Sequence, residues 1–117
     1  MFQVEDYTIN MTCGDTGAID IHAVGYEFAS NDRAMFAVRN RDGIVVKQGV
    51  YEIMNGVFTV YFQNDETDHL PAGEYFYDVR YVINPYYDSD GKIINGDQVI
   101  TPKGKKRLIL WDPAGDV

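Results

Sequence analysis

Apolar and polar residues alternate along most of this chain with a period of two, and a period of 3.6 is almost absent. At least six alternating segments recur, and Gly, Asn and Asp separate them. Successive side chains of a strand point to opposite faces, so this pattern is typical of strands that bury one face. The sequence therefore predicts an all-β chain.

The turn signals between these segments predict how the strands are connected. Asp42-Gly43 and Asn55-Gly56 favour type I′ hairpins, because both central positions of that turn need positive φ. Pro85 has no N–H to donate, so we expect it to end the longest strand, and a turn-rich excursion covers residues 86–97. Strands are predicted at residues 7–12, 19–23, 33–39, 44–47, 51–53, 58–62, 74–83, 98–101 and 106–111.

The longest predicted strand carries tyrosines on its first inward positions, where Tyr75 and Tyr77 follow Gly73. A tyrosine at such a position can bury its ring while its hydroxyl bonds to the backbone of the preceding turn. This arrangement is the tyrosine corner of Greek-key sandwiches. We expect Gly73, Tyr75 and Tyr77 to form a structural corner that performs no chemistry.

Strands of this spacing, joined by tight turns without helices, suit two packed sheets, because an open sheet would leave one apolar face in water. The predicted fold is an immunoglobulin-like antiparallel β-sandwich with Greek-key connections. A chain of 117 residues suits one domain. We expect the sandwich to span residues 1–112 and residues 113–117 to form a C-terminal tail.

The formal net charge of −8 argues against nucleic acid and against anionic membrane surfaces as partners. The most basic cluster lies at the start of the predicted last strand and contains Lys103, Lys105, Lys106 and Arg107. Lysines protect an exposed strand edge from pairing with other chains, so we expect a solvated edge there. A contact with phosphate or an acidic partner is the alternative.

The cysteine content and the N-terminal segment indicate the cellular compartment in which the protein folds. Cys13 is the one cysteine, so the chain cannot form an internal disulfide. Residues 1–7 lack the basic and apolar regions of a signal peptide, and no later apolar run is long enough to span a bilayer. We therefore expect no signal peptide and folding in a cytoplasm.

Groups suited to catalysis are few. His22 falls on an outward strand position, and His69 falls in a turn beside Asp68. No pattern brings either imidazole next to a nucleophile, which acyl-transfer chemistry requires. We therefore expect that the protein is not an enzyme and that it has no catalytic residue and no cofactor.

The segment 88–97 has part of the spacing of an EF-hand loop, which makes Asp88, Asp90 and Asp97 candidate calcium ligands. The first ligand position of that loop would be Tyr86, which has no carboxylate, and the last is Asp instead of a bidentate Glu. The preferred alternative is a metal-free polar hairpin. Its turns would lie at Asp90-Gly91 and Asn95-Gly96 and would need positive φ.

Aromatic residues make up 14% of the chain, and rings exposed on a sandwich can stack on sugars. Tyr26, Tyr86, Tyr87 and Trp111 are the candidates for such a platform. Tyr86, Tyr87 and Trp111 are also candidates for a protein-interaction surface, because aromatic anchors often dominate protein contacts. The alternative for each ring is packing in the core or at its rim.

The order of these signals is shared with a known family of proteins. The motifs that carry it are Gly14-Asp15-Thr16-Gly17, Ile19-Asp20-Ile21, Asp32-Arg33-Ala34-Met35-Phe36-Ala37-Val38-Arg39, Thr67-x-x-Leu70-Pro71-Ala72-Gly73-x-Tyr75-x-Tyr77-Asp78-Val79 and Ile100-Thr101-Pro102-x-Gly104. In this order they resemble the immunoglobulin-like N-terminal domain of upper baseplate proteins and related tail proteins of phages and prophages in Gram-positive bacteria.

The resemblance covers nearly the whole chain, although the excursion at residues 86–97 departs from the compact pattern expected of that family. It implies a non-enzymatic structural module without a cofactor, in a virion or a bacterial cytoplasm. Such a module docks on copies of itself or on neighbouring tail proteins. A carbohydrate-binding or adhesive sandwich is the alternative, and the aromatic content favours it.

Overall fold

Two β-sheets pack face to face in a computed structural model, which describes residues 1–104 and 106–113. Lys105 of the basic cluster and residues 114–117 of the predicted tail lie outside the described residues. The elements are β1 (Phe2–Glu5), β2 (Thr8–Thr12), β3 (Gly17–His22), β4 (Arg33–Arg39), β5 (Val45–Glu52), β6 (Val57–Phe62), α1 (Asn64–Thr67), β7 (Gly73–Tyr87), β8 (Ile93–Ile100) and β9 (Arg107–Trp111).

The larger sheet has the strand order β1-β2-β9-β7-β4-β5, with β8 beside the second half of β7, and the smaller sheet pairs β3 with β6. This order matches an immunoglobulin-like sandwich, in which strands G, F, C and C′ face strands B and E. Neighbouring strands are antiparallel except for β2 and β9, which run parallel. The predicted all-β sandwich is confirmed.

The core lies between the sheets and follows the alternation seen in the sequence. On β4, Ala34, Phe36 and Val38 are buried while the residues between them are partly exposed. On β7, Tyr75 and Tyr77 are buried in the same way. Complete burial of one large apolar side chain contributes roughly 1.5–3 kcal/mol, so this single core accounts for much of the folding free energy.

Two elements were not predicted from the sequence. β1 is mostly exposed, although its residues Phe2-Gln3-Val4-Glu5 alternate between apolar and polar. It joins β2 through Asp6 and Tyr7, whose φ angles are +48° and +66°. The short helix α1 precedes β7, where no helix was expected. The backbone N–H of Gln63 donates to the Glu66 carboxylate at 2.7 Å, and this bond caps the helix start.

One of the two predicted type I′ hairpins is present. Asn55 and Gly56 have φ angles of +53° and +75°, and they form the expected two-residue turn between β5 and β6. The prediction for Asp42-Gly43 was wrong, because only Gly43 has positive φ and the turn begins at Asn40. The N–H of Gly43 donates to the Asn40 carbonyl at 3.0 Å, so this connection is longer than a two-residue turn.

Three predictions about the second half of the chain were wrong. β7 does not end at Pro85 but continues to Tyr87, paired with β8 in a long hairpin. Asn95-Gly96 is not a turn, because both residues lie within β8, whereas Gly91, with φ of +79°, lies at the hairpin tip. The start of β9 is not a sheet edge, because β2 and β7 pair with this strand on its two sides.

Candidate functional site

The tyrosines predicted to form a corner both make partly buried hydrogen bonds to backbone carbonyls. The Tyr75 hydroxyl donates to the carbonyl of Pro71, four residues upstream, at 2.7 Å, which is the hydrogen bond of a tyrosine corner. The Tyr77 hydroxyl donates to the carbonyl of Tyr7 at 2.6 Å and so fixes the β1–β2 turn. Burial, with a smaller effect of Tyr7, raises the pKa of Tyr77 to about 12. Gly73 opens β7 with φ of +139°.

The aromatic residues proposed as one interaction surface lie in separate places. Trp111 ends β9, whose Leu110 pairs with Gly73 at the start of β7, and its indole N–H donates to Asn10 Oδ1 at 3.1 Å. Tyr86 and Tyr87 end β7 and are about half exposed. The structure therefore does not bring Trp111 together with the two tyrosines.

The candidate calcium ligands are already engaged in hydrogen bonds. The Asp88 carboxylate accepts the N–H groups of Asp90 and Lys92, both at 2.9 Å, and so closes the hairpin tip. Asp97 lies on β8, where it accepts hydrogen bonds from the Tyr86 hydroxyl and from the Asn84 amide; these bonds lower the pKa of its carboxyl. In the part of the chain that is described, no three His, Cys, Asp or Glu side chains are grouped to hold a metal ion.

β7 changes direction at Asn84, whose φ is +47°. Few non-glycine residues adopt this conformation, and Asn is among those that tolerate it best. The backbone N–H of Asn84 donates to Asp32 Oδ1 at 2.9 Å, and the Ala29 N–H donates to Asp32 Oδ2 at 2.7 Å. Asp32 is only 3% exposed, so its buried carboxylate connects the β3–β4 loop to the bend in β7.

Gly96 allows the two strands of the hairpin to approach closely at this bend. A Cβ atom at Gly96 would lie 2.5 Å from Val82 Cγ1 and 2.6 Å from the carbonyl oxygen of Ile83. Both distances are too short for real contacts, and the second involves backbone that cannot rotate away. This position requires glycine for steric reasons and not for its φ angle.

The bend folds the β7–β8 hairpin back over the outer face of the larger sheet and encloses a cleft of about 430 Å³. Asp78 and Tyr87 both line it. A straight strand would separate these two residues by about 30 Å, since each residue advances the chain by about 3.3 Å. We call this space the hairpin cleft; its floor comes from β4, β5 and β7, and its roof comes from the end of β7, the hairpin tip and the start of β8.

The centre of the hairpin cleft is apolar. Its floor contains Met35 and Ala37 on β4 and Val50 on β5, which is 51% exposed. Its roof contains Tyr87 and Ile93. These apolar groups are partly exposed on two facing surfaces. A ligand that removes them from water is stabilised by roughly 25 cal/mol per Å² of apolar surface buried.

Charged side chains line the same cleft. Three of them are basic, Arg39, Arg80 and Lys92, and one is acidic, Asp78. Arg39 Nε lies 3.9 Å from Asp78 Oδ2, so one ion pair lies on the floor. The hairpin cleft is thus more basic than the chain as a whole, which carries a net charge of −8.

No motif in the sequence pointed directly to this site. Met35 and Arg39 lie on the face of β4 opposite the buried Ala34, Phe36 and Val38. Tyr87 was the one lining residue that had been singled out as a candidate. The exposed histidines His22 and His69 do not line the hairpin cleft.

Comparisons with protein-family models, curated proteins and solved structures find no match for this chain. Among residues 1–104 and 106–113, no helix is long and apolar enough to cross a membrane.

Proposed function

We propose that this protein is a non-enzymatic protein-interaction module and that the hairpin cleft is its binding surface. The observation that carries the proposal is the folded-back hairpin, which a buried carboxylate holds above an apolar part of a sheet. Rigid preorganisation of this kind reduces the ordering cost of binding.

The composition of the hairpin cleft supports binding and not catalysis. Its volume falls within the usual range of ligand pockets, roughly 300–1,000 Å³. It combines an apolar centre with a charged rim, as protein interfaces do. Among residues 1–104 and 106–113, those that line it include no Ser, Thr, Cys or His, and Asp78, the one carboxylate among them, is engaged with Arg39.

We further propose that this module is a structural part of a phage or prophage tail or baseplate. The motifs described above support it through their resemblance to the tail proteins of Gram-positive phages. A module of that kind works in a virion or a bacterial cytoplasm and binds copies of itself or neighbouring tail proteins.

A random peptide library panned on the immobilised protein tests whether the hairpin cleft binds protein segments. The Val50→Glu variant adds a charge to the floor at a half-exposed position, where folding is expected to tolerate it. Val99→Glu adds the same charge on β8 at a residue that is 46% exposed and does not line the cleft, so it is the matched control.

We expect peptides enriched on the wild type to lose at least ten-fold in affinity on Val50→Glu and to keep their affinity on Val99→Glu. Enrichment that is equal on the wild type and on Val50→Glu would contradict the proposal, as would no enrichment at all. Light scattering over a concentration series shows separately whether a second copy is a partner.

A carbohydrate-binding module is the second candidate, because the Tyr87 ring is half exposed and lines the hairpin cleft. An aromatic ring in a cleft can stack on a sugar. This candidate predicts binding on a glycan array that Tyr87→Ala abolishes and that Tyr26→Ala leaves intact. An array without any signal would exclude the glycans it carries.

A further inference from the structure

The charges of the hairpin cleft are unbalanced. Arg39 and Asp78 neutralise each other, which leaves Arg80 and Lys92. Within residues 1–104 and 106–113, neither the Arg80 guanidinium nor the Lys92 ammonium has an ion-pair or hydrogen-bond acceptor. Two cations without counter-charges therefore border the same cavity.

These two cations come from opposite sides of the cleft. Arg80 lies on β7 in the floor, where it pairs in register with Met35 of β4. Lys92 lies at the hairpin tip in the roof. A ligand group that enters the cleft meets one cation below it, another above it, and apolar side chains beside it.

We propose that the partner segment is an acidic peptide whose carboxylates face Arg80 and Lys92 and whose apolar side chain covers Met35 and Val50. This inference rests on the proposed function and names the chemistry of the partner. Charge-assisted hydrogen bonds from guanidinium and ammonium groups to carboxylates are about twice as strong as neutral ones. The apolar side chain of the peptide also buries the apolar floor, and this burial adds a hydrophobic contribution to binding that a free anion cannot supply.

The net charge of −8 on the whole chain favours a short segment over a large polyanion. A nucleic acid or an anionic membrane would place many negative charges near an acidic surface, and repulsion would outweigh two local contacts. A peptide with two or three carboxylates places its charge only where the cations are.

Titration calorimetry with two capped peptides tests the inference. The first probe is Glu-Leu-Glu-Leu-Glu, and the second replaces each glutamate with glutamine. We expect the acidic peptide to bind at least ten-fold more tightly at 50 mM salt and to lose most of that advantage at 500 mM, because salt screens exposed charges.

Variants that each remove one positive charge show whether Arg80 and Lys92 cause the preference for the acidic peptide. Arg80→Gln and Lys92→Gln should each weaken binding of the acidic peptide five-fold or more. Lys103→Gln is the matched control, because it changes the net charge equally at an exposed residue that does not line the cleft, and it should leave binding unchanged. Thermal melts verify that all three variants fold.

Equal binding of both peptides, no binding of either, or equal weakening by Lys103→Gln would overturn the inference. These outcomes differ from failure of the proposed function itself. If the library yields neutral peptides that Val50→Glu rejects, the hairpin cleft is a binding surface and the acidic preference is wrong.

Discussion

Asp32 accepts a hydrogen bond from the backbone N–H of Asn84 at 2.9 Å, although the two residues are 52 positions apart in the chain. The bond joins the β3–β4 loop to the bend of β7. Since the other Asp32 oxygen accepts the N–H of Ala29, one buried carboxylate serves two backbone donors. The position of the hairpin roof therefore depends on the charge and shape of this side chain.

The Asp32→Asn substitution tests this dependence. An amide keeps one acceptor but turns its NH₂ group toward the other backbone donor, so we expect a loss of about 1–3 kcal/mol in the free energy of unfolding. Urea denaturation measures it. The exposed Asp42→Asn in the β4–β5 turn is the control and should leave the midpoint unchanged. An unchanged midpoint for Asp32→Asn would show that the buried carboxylate does not hold the bend.

The hydroxyl of Tyr75 gives a second prediction. Tyr75→Phe keeps the buried ring but leaves the Pro71 carbonyl without its donor, so we expect a loss of about 1 kcal/mol in the free energy of unfolding. Tyr61→Phe is the matched control, because it removes the same hydroxyl from a residue that is 61% exposed. Equal stabilities of the two variants would mean that the corner bond contributes nothing.

Alkaline pH should destabilise the protein through Tyr77. Its pKa is about 12 in the folded state, mainly because of burial, and about 10 in an unfolded chain. Between these values the unfolded chain loses a proton that the folded protein keeps, so stability falls as the pH rises above about 10. The fall approaches about 1.4 kcal/mol per pH unit for one such group.

Urea midpoints between pH 9 and pH 11.5 measure this effect. Burial also raises the pKa of other tyrosines, so Tyr77→Phe should make the fall shallower without removing it. A wild type and a Tyr77→Phe variant with the same slope would contradict the assignment to this hydroxyl.

Lys47 and Glu66 form a partly buried ion pair that connects β5 to α1. Lys47 Nζ lies 2.6 Å from Glu66 Oε2 and 5.0 Å from the centre of the Phe62 ring, and the lysine side chain is only 8% exposed. Glu66→Gln removes the counter-charge of a buried ammonium, so we expect it to cost about 2–4 kcal/mol. Lys47→Met leaves only the Glu66 carboxylate without its partner, and because that side chain is 30% exposed this substitution should cost less.

Chemical denaturation of both single variants and of the double variant measures this difference. The double variant should be more stable than Glu66→Gln alone, because it contains no stranded cation. If Lys47→Met is the more damaging substitution, the apolar stem and the ring contact of Lys47 matter more than its charge.

The strands could be predicted from the sequence because their causes are local. On β4, alternate residues are buried over the predicted range, and the Asn55-Gly56 turn has the φ angles that its residues favour. β1 was not predicted, although Phe2 and Val4 alternate with Gln3 and Glu5 over its four residues. The pairing of β2 with β9 could not be predicted, since no local pattern records which distant strand is a neighbour.

The hairpin cleft could not be predicted for a different reason. Its geometry depends on the positive φ of Asn84, on the close approach allowed by Gly96 and on the distant carboxylate of Asp32. Pro85 suggested the end of a strand, whereas the bend lets the strand continue past it. The lining residues are scattered along four strands and a turn, and each alone looks like an ordinary surface residue.

Chemical-shift mapping with the peptides selected by the library, or with the acidic probe, tests most directly whether the hairpin cleft is the binding surface. The account predicts saturable shifts of the amide signals of Ala37 and Val50 in the floor and of Lys92 and Ile93 in the roof, with a common dissociation constant. Shifts centred on Tyr61 or Trp111, or shifts that do not saturate, would contradict it.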